Sequence, residues 1–303
     1  MSDMRVTLCG VELKNPVITA SGTFGYGMEY NEFYPISRLG GVSCKGTTLA
    51  ERQGNPSPRI AETPSGMLNS VGLQNPGVEA FVSIYLPWLK SQGTAAIANI
   101  AGNSIEDYCA MAQRLDDTDV DIIEMNISCP NVKQGGASFG TSCENAAAVT
   151  RAVRDHCHKP LMVKLTPNIS NIGDIAAAVE DAGADAVSLI NTITGMRIDI
   201  RTRRPILHNN TGGLSGPAVF PIAVRMVRDV YKRVSIPVVG MGGISTWEDA
   251  VEMMIAGASA IQVGAANFRD PFAALKIVEG LEAYAQQQGL ASVTELTGTL
   301  QEW

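Results

Sequence analysis

Long apolar runs are missing from this sequence. No window holds about 18 continuous apolar residues, which a membrane-spanning helix needs, and residues 1–5 are too short and polar for a signal peptide. These absences predict a cytoplasmic protein without a membrane element. Charge is also sparse: charged residues make up 17% of the chain, the formal net charge is -7, and no Lys/Arg run occurs. A nucleic-acid partner needs a basic surface to release phosphate counterions, so none is expected. The six cysteines (Cys9, Cys44, Cys109, Cys129, Cys143, Cys157) form no C-x-x-C pair. That pattern signals no disulfide framework and no zinc or iron–sulfur cluster. His156 and His158 flank Cys157 beside Lys159-Pro160, a pattern that suits a solvated helix C-terminus better than a metal site. The glycines of Ser21-Gly22-Thr23-Phe24-Gly25-Tyr26-Gly27 do not make G-x-G-x-x-G, so the dinucleotide-fold fingerprint is absent.

What is present is 45% hydrophobic residues and 30 glycines with only 6% aromatics, the composition of a glycine-punctuated α/β protein. Short β-branched or alanine-rich runs read as buried strands at residues 16–20, 41–45, 95–99, 121–126, 161–164, 186–191, 236–240 and 260–264. A small hairpin turning at Cys9-Gly10 precedes them. Helical patterns fall between the strands: 78–90, which Pro87 should kink or shorten, then 104–115, and a helix from a capping box at Thr141-Ser142-Cys143-Glu144 to about His156. Ile172, Ile175, Ala176 and Val179 mark the next, before helices at 217–233, after the box Ser245-Thr246-Trp247-Glu248, and at 271–287. Eight strand–helix alternations predict one (β/α)8 barrel domain over residues 1–303, with loops inserted over its C-terminal mouth. The runner-up, an open doubly wound sheet, is disfavoured by the missing fingerprint. Two excursions stand out: 46–77, with a hairpin around Thr63-Pro64-Ser65-Gly66, and the lid-like 192–216, which shows no strong periodicity.

Aligned by their last residues, strands two to six end in Lys45, Asn99, Asn126, Lys164 and Asn191. In a barrel these positions ring the mouth where chemistry occurs, so they would converge on one bound molecule. Polar residues also end strands simply because the backbone is about to meet solvent. On the opposite arc, Gly216, Gly242, Gly243, Gly264 and Ala265 would let backbone N–H groups approach a phosphate. Cys129 follows the fourth strand on a loop with Pro130 and Gly135-Gly136. Cysteine is most often inert packing, but here the surrounding chain points to a phosphorylated cofactor beneath a small polar substrate and a reactive thiol.

Ala20-Ser21-Gly22-Thr23-Phe24-Gly25, Ser43-Cys44-Lys45-Gly46-Thr47, Asn69-Ser70-Val71-Gly72-Leu73-Gln74-Asn75, Asn126-Ile127-Ser128-Cys129-Pro130-Asn131 and Gly240-Met241-Gly242-Gly243-Ile244 resemble the motifs of class 1 dihydroorotate dehydrogenases. The resemblance covers nearly the whole chain, and is greatest to the FMN subunit of the NAD-linked two-subunit type. It implies that Cys129 is the general base at C5 of dihydroorotate while hydride leaves C6 for FMN. Lys45, Asn69, Asn126, Asn191 and Thr192 would hold the pyrimidine and its carboxylate, with Ser70, Val71, Gly72 and Leu73 completing the pocket. Ser21, Lys45, Gly46, Asn99, Asn126 and Ile190 would seat the flavin ring, Lys164 would lie near its pyrimidine portion, and the five glycine-arc positions would take the phosphate. It further implies a homodimer, joined into a heterotetramer by an electron-transfer subunit carrying FAD and a [2Fe–2S] cluster. Rival readings are the fumarate-linked cytosolic class and a dihydropyrimidine dehydrogenase relative in which the thiol acts as an acid. A tRNA-acting FMN enzyme is disfavoured by the charge, and an electron-relaying flavoprotein without catalysis by intact Cys129.

Overall fold

The computed structural model describes residues 2–128 and 139–303. Eight parallel strands close a barrel in chain order: β1 Val17–Thr19, β2 Gly41–Ser43, β3 Ala95–Ile100, β4 Ile122–Asn126, β5 Leu161–Lys164, β6 Ala186–Leu189, β7 Val238–Met241 and β8 Ala260–Val263. β8 pairs with β1 in register Ile261↔Val17, which closes the ring. Nearly every strand residue is buried, as expected when side chains on one face fill the barrel and those on the other meet helices. This is the predicted (β/α)8 architecture.

Strands two and six are shorter than the sequence suggests. β2 stops at Ser43 and β6 at Leu189, so Lys45 and Asn191 lie in the loops just beyond. The N-terminal hairpin forms from Val6–Leu8 and Val11–Leu13, with Cys9 and Gly10 at positive φ (52° and 80°) in its turn. Lys14 Nζ then donates to the carbonyls of Ser37 and Gly93, which lead into β2 and β3. The hairpin is thereby tied to the N-terminal end of the barrel, away from the chemistry.

Both helices start one residue later than the sequence predicts, and only the second retains a capping box. Ser142, not Thr141, caps the helix Cys143–Arg154 by accepting from Asn145 N, and Thr246 caps Trp247–Ala256 in a reciprocal box with Asp249. At each site two adjacent hydroxyl residues offered alternative caps, and the second of the two is used. The helix before β3 carries a five-residue π segment, Phe81–Tyr85, immediately ahead of Leu86–Ser91, so the hydrogen-bond ladder is widened just before Pro87, which has no N–H to give it.

The excursion at 192–216 is not an irregular lid. Ile193–Gly195 and Gly212–Ser215 pair antiparallel, and Gly212–Ser215 continues onto Gly66–Asn69 and then Ile60–Thr63. A four-stranded sheet from two distant loops therefore covers the mouth. Its tight seam needs glycine: a Cβ on Gly66 would lie 2.0 Å from the Ser215 carbonyl oxygen, and one on Gly216, at φ 105°, would lie 2.6 Å from Gly66 Cα.

The outer shell contains a comparable contact. In the helix Ala273–Gln287, a Cβ on Gly280 would fall 2.3 Å from Trp247 Cγ. Helix propensity alone would make Gly280→Ala stabilising by about 1 kcal/mol. Overpacking against the indole should win, so thermal and urea unfolding should show a loss of about 1–3 kcal/mol.

Candidate active site

A cavity opens at the C-terminal ends of the strands beneath the four-stranded sheet. It is lined by Ser21, Lys45, Gly46, Asn69, Ser70, Val71, Gly72, Leu73, Asn99, Asn126, Lys164, Ile190, Asn191, Thr192, Gly216, Gly242, Gly243, Gly264 and Ala265. Apart from Cys129, which lies outside the described residues, every position singled out in the sequence therefore meets in one place. Met67, Gln262 and Phe268 complete the wall among others.

The floor is organised by a residue inside β4 rather than at a strand end. Glu124 of β4 is completely buried. Its Oε1 accepts from Ser188 Oγ (2.8 Å) and Gln262 Nε2 (2.8 Å), and its Oε2 from Ser43 Oγ (2.6 Å) and Asn99 Nδ2 (2.7 Å). These donors stand on β6, β8, β2 and β3, so one carboxylate gathers four other strands. Burial pushes the Glu124 carboxyl up, but the Lys164 charge and the hydroxyl and amide donors outweigh it and hold the group below its ordinary value. Lys164, buried at the end of β5, donates to Ser21 Oγ at 3.3 Å. Burial draws its ammonium below the ordinary lysine value, while the Glu124 charge opposes that shift.

Asn126 is fixed from two sides. Tyr108 OH donates to its backbone carbonyl (2.6 Å), and its side-chain Oδ1 accepts from Ser128 N and Ser128 Oγ (3.2 and 2.6 Å). Asn191 Nδ2 donates to Ser128 Oγ, and Asn191 Oδ1 accepts from Thr192 N at 2.8 Å. With the Asn126 carbonyl oxygen engaged, its NH2 is the group left for a ligand. Ser128 joins the two asparagines into one unit immediately before Cys129 in the chain.

The loop from Asn69 to Asn75 is shaped by backbone geometry. Gly72 and Leu73 both have positive φ (79° and 57°), and a Cβ on Gly72 would meet Asn55 Cγ at 2.6 Å. Asn75 staples the loop by donating to Thr48 Oγ1 and the Leu73 carbonyl and accepting from Gly77 N.

The glycine arc combines close packing with open donors. Gly242 and Gly243 have positive φ (120° and 82°), and a Cβ on Gly243 would come within 2.9 Å of the Gly216 carbonyl oxygen. No backbone carbonyl among the described residues takes up the N–H groups of Gly242, Gly243 or Ala265. On the floor, Asn99 Oδ1 and Gln262 Oε1 are buried without a hydrogen-bond partner among the described residues. Such groups are costly unless something completes them. Open N–H groups on one arc and orphaned acceptors on the floor suit a planar heterocycle with its own N–H groups and a phosphate tail, so the residues present fit a flavin mononucleotide.

The sequence carried a signal for the missed floor residues. Glu124, Ser188 and Gln262 each interrupt an apolar strand, and Ser43 ends one, but none looked like a ligand contact by itself. The His156-Cys157-His158 segment, by contrast, is structural: Asp116 accepts from Cys157 Sγ, from His158 N and from Lys159 N. Among the described residues no group of three or more metal-ligating side chains forms.

A family model described as dihydroorotate dehydrogenase matches residues 3–284. The chain is 52% identical over 300 residues to a protein of Petrotoga mobilis named dihydroorotate dehydrogenase B (NAD(+)), catalytic subunit, covering 99% of this chain and 100% of the relative. A protein of the same name from Bacteroides thetaiotaomicron is 54% identical over 302 residues, with 99% and 100% covered. The chain belongs to the dihydroorotate dehydrogenase family.

The Glu124 network sets an acid limit on stability. Because its folded pKa is lowered from 4.5, the contribution is complete above that value and is lost as pH falls through the folded pKa. Thermal melts of Glu124→Gln should show a deficit of about 3–5 kcal/mol at neutral pH, since a buried charge loses its partner. That deficit should narrow as the wild type is acidified below 4.5.

Proposed function

We propose that this chain is an FMN-dependent oxidoreductase that converts dihydroorotate to orotate in pyrimidine biosynthesis and delivers the electrons to NAD through a partner subunit. The observation that carries the reading is the convergence of Lys45, Asn69, Asn126, Asn191 and Thr192 on a cavity that also holds the glycine arc and Lys164. The names of the relatives, catalytic subunits of an NAD-linked enzyme, support the substrate, the acceptor and the existence of a partner.

In this reading Lys45 and the amides of Asn69, Asn126 and Asn191 bind the substrate, with charge-assisted and bidentate contacts available to its carboxylate and ring. Thr192, Ser70, Val71, Gly72 and Leu73 close the pocket. Ser21, Gly46, Asn99 and Ile190 seat the cofactor ring, and Gly216, Gly242, Gly243, Gly264 and Ala265 take its phosphate. When bound, FMN supplies the acceptor for the hydride that leaves C6. Cys129 takes the C5 proton, so the two hydrogens lost from the C–C bond leave as a hydride and a proton and the double bond of orotate forms. A cation at Lys164 favours the extra negative charge that a reduced flavin carries.

A homodimer carrying an electron-transfer subunit with FAD and a [2Fe–2S] cluster completes the route to NAD as a heterotetramer. The two-subunit route is preferred over the fumarate-linked class because of the relatives' names. No helix among the described residues is long and apolar enough to cross a membrane, which is compatible with a cytoplasmic enzyme.

Two measurements test the reading. Cys129→Ala should bind orotate normally but lose about 10²–10⁴-fold in turnover, as removal of a general base does; near-normal turnover would show that another group is the base. The pure chain should fail to reduce NAD with dihydroorotate until an extract containing the partner is added. Rapid NAD reduction without that extract, or efficient turnover with fumarate, would refute the two-subunit assignment.

A further inference from the structure

Glu124 does not line the cavity, yet it is joined to what does. Asn99 and Gln262 each donate an NH2 to its carboxylate from below and belong to the cavity wall, and their carbonyl oxygens have no partner among the described residues. Ser43 and Ser188 complete the carboxylate from strands that contribute nothing else to it. Stability does not explain this arrangement, because well-packed apolar side chains usually serve a core as well as a buried charge pair does. Lys164, on the neighbouring strand β5, lines the same cavity.

We propose that Glu124 is a positioning residue for the flavin reaction: it fixes the Asn99 and Gln262 amides with their oxygens available to the cofactor, and it is the buried carboxylate one strand away from Lys164. The inference rests on the flavin reading of the cavity. Among the described residues the ionisable groups around the pair are few, and Cys129 and Lys133 lie outside them. Lys45 lines the same cavity, and the Cys44 thiol after β2 is pushed up by burial and stays neutral. Ser43 on β2, Asn99 on β3, Ser188 on β6 and Gln262 on β8 do not titrate at accessible pH, nor do Thr19 on β1 and Met241 on β7. Glu124 is therefore the carboxylate that acts on Lys164. Without it, burial works unopposed and the ammonium loses its proton at lower pH.

The test uses the full chain as wild type, Glu124→Gln, Lys164→Met and the double variant, each titrated with FMN and then followed for flavin midpoint potential against pH. Glu124→Gln is expected to weaken FMN by about tenfold, equivalent to about 1.4 kcal/mol. Its potential should also show a Lys164-linked step at lower pH than in wild type. Lys164→Met and the double variant should lack that step. A merely structural Glu124 would change affinity and melting temperature but leave the pH of the step unmoved, and that result would overturn the proposal. If the single variant does not fold, the double variant, which removes both charges together, should fold and lack the step; its failure to fold would also contradict the proposal. Failure of the wild type to bind FMN would overturn the flavin reading itself, whereas FMN binding with an unmoved step overturns this inference alone.

Discussion

The structure depends on a single carboxylate sealed inside the barrel. Glu124 takes hydrogen bonds from side chains on four strands, two to each oxygen. Strand side chains alternate between faces, so a one-residue slip in any of these strands would send its donor to the helix side and leave the charge unmatched. The network therefore specifies barrel register and the position of the cavity floor together. It places Asn99 and Gln262 at the base of the cavity and sets the field felt by Lys164.

Above that floor, recognition is built from pieces that would be unremarkable singly. Asn126 ends β4, Asn191 lies in the loop just after β6, and Ser128 makes them one unit. The loop carrying Asn69 to Leu73 is held by Asn75 and by two residues at positive φ. Opposite, Gly242 and Gly243 follow β7, with open N–H groups near the start of the segment after Gly216. Barrel strands thus supply Asn99, Asn126 and Lys164, the loops just beyond them supply Lys45 and Asn191, and turns supply the backbone donors. The fold's usual division of labour, with chemistry at the C-terminal ends, is retained.

Much of this was legible because eight buried strands leave short, apolar, glycine-bounded signatures whose order in sequence is also their order in space. Lys45, Asn99, Asn126, Lys164 and Asn191 could be found by aligning strand ends, even though β2 and β6 stop two residues earlier than expected. The four-stranded cover was not legible. Residues 66–69 and 212–215 are almost 150 positions apart, and their pairing is enforced by the close approach of Gly66 to Ser215 and Gly216, which no local period encodes. Glu124 was hidden for a related reason: its partners come from residues 43, 99, 188 and 262. Viewed alone, a charged residue in an apolar strand reads as an irregularity, and only closure of the ring reveals four matching donors.

The most direct test of the account is anaerobic mixing of the purified, FMN-loaded chain with dihydroorotate, with the flavin absorbance followed through a single turnover. Prompt bleaching by dihydroorotate, with orotate formed in equal amount and no response to dihydrouracil, is the result the account predicts. A flavin that stays oxidised with dihydroorotate, or that is bleached by dihydrouracil instead, would contradict it.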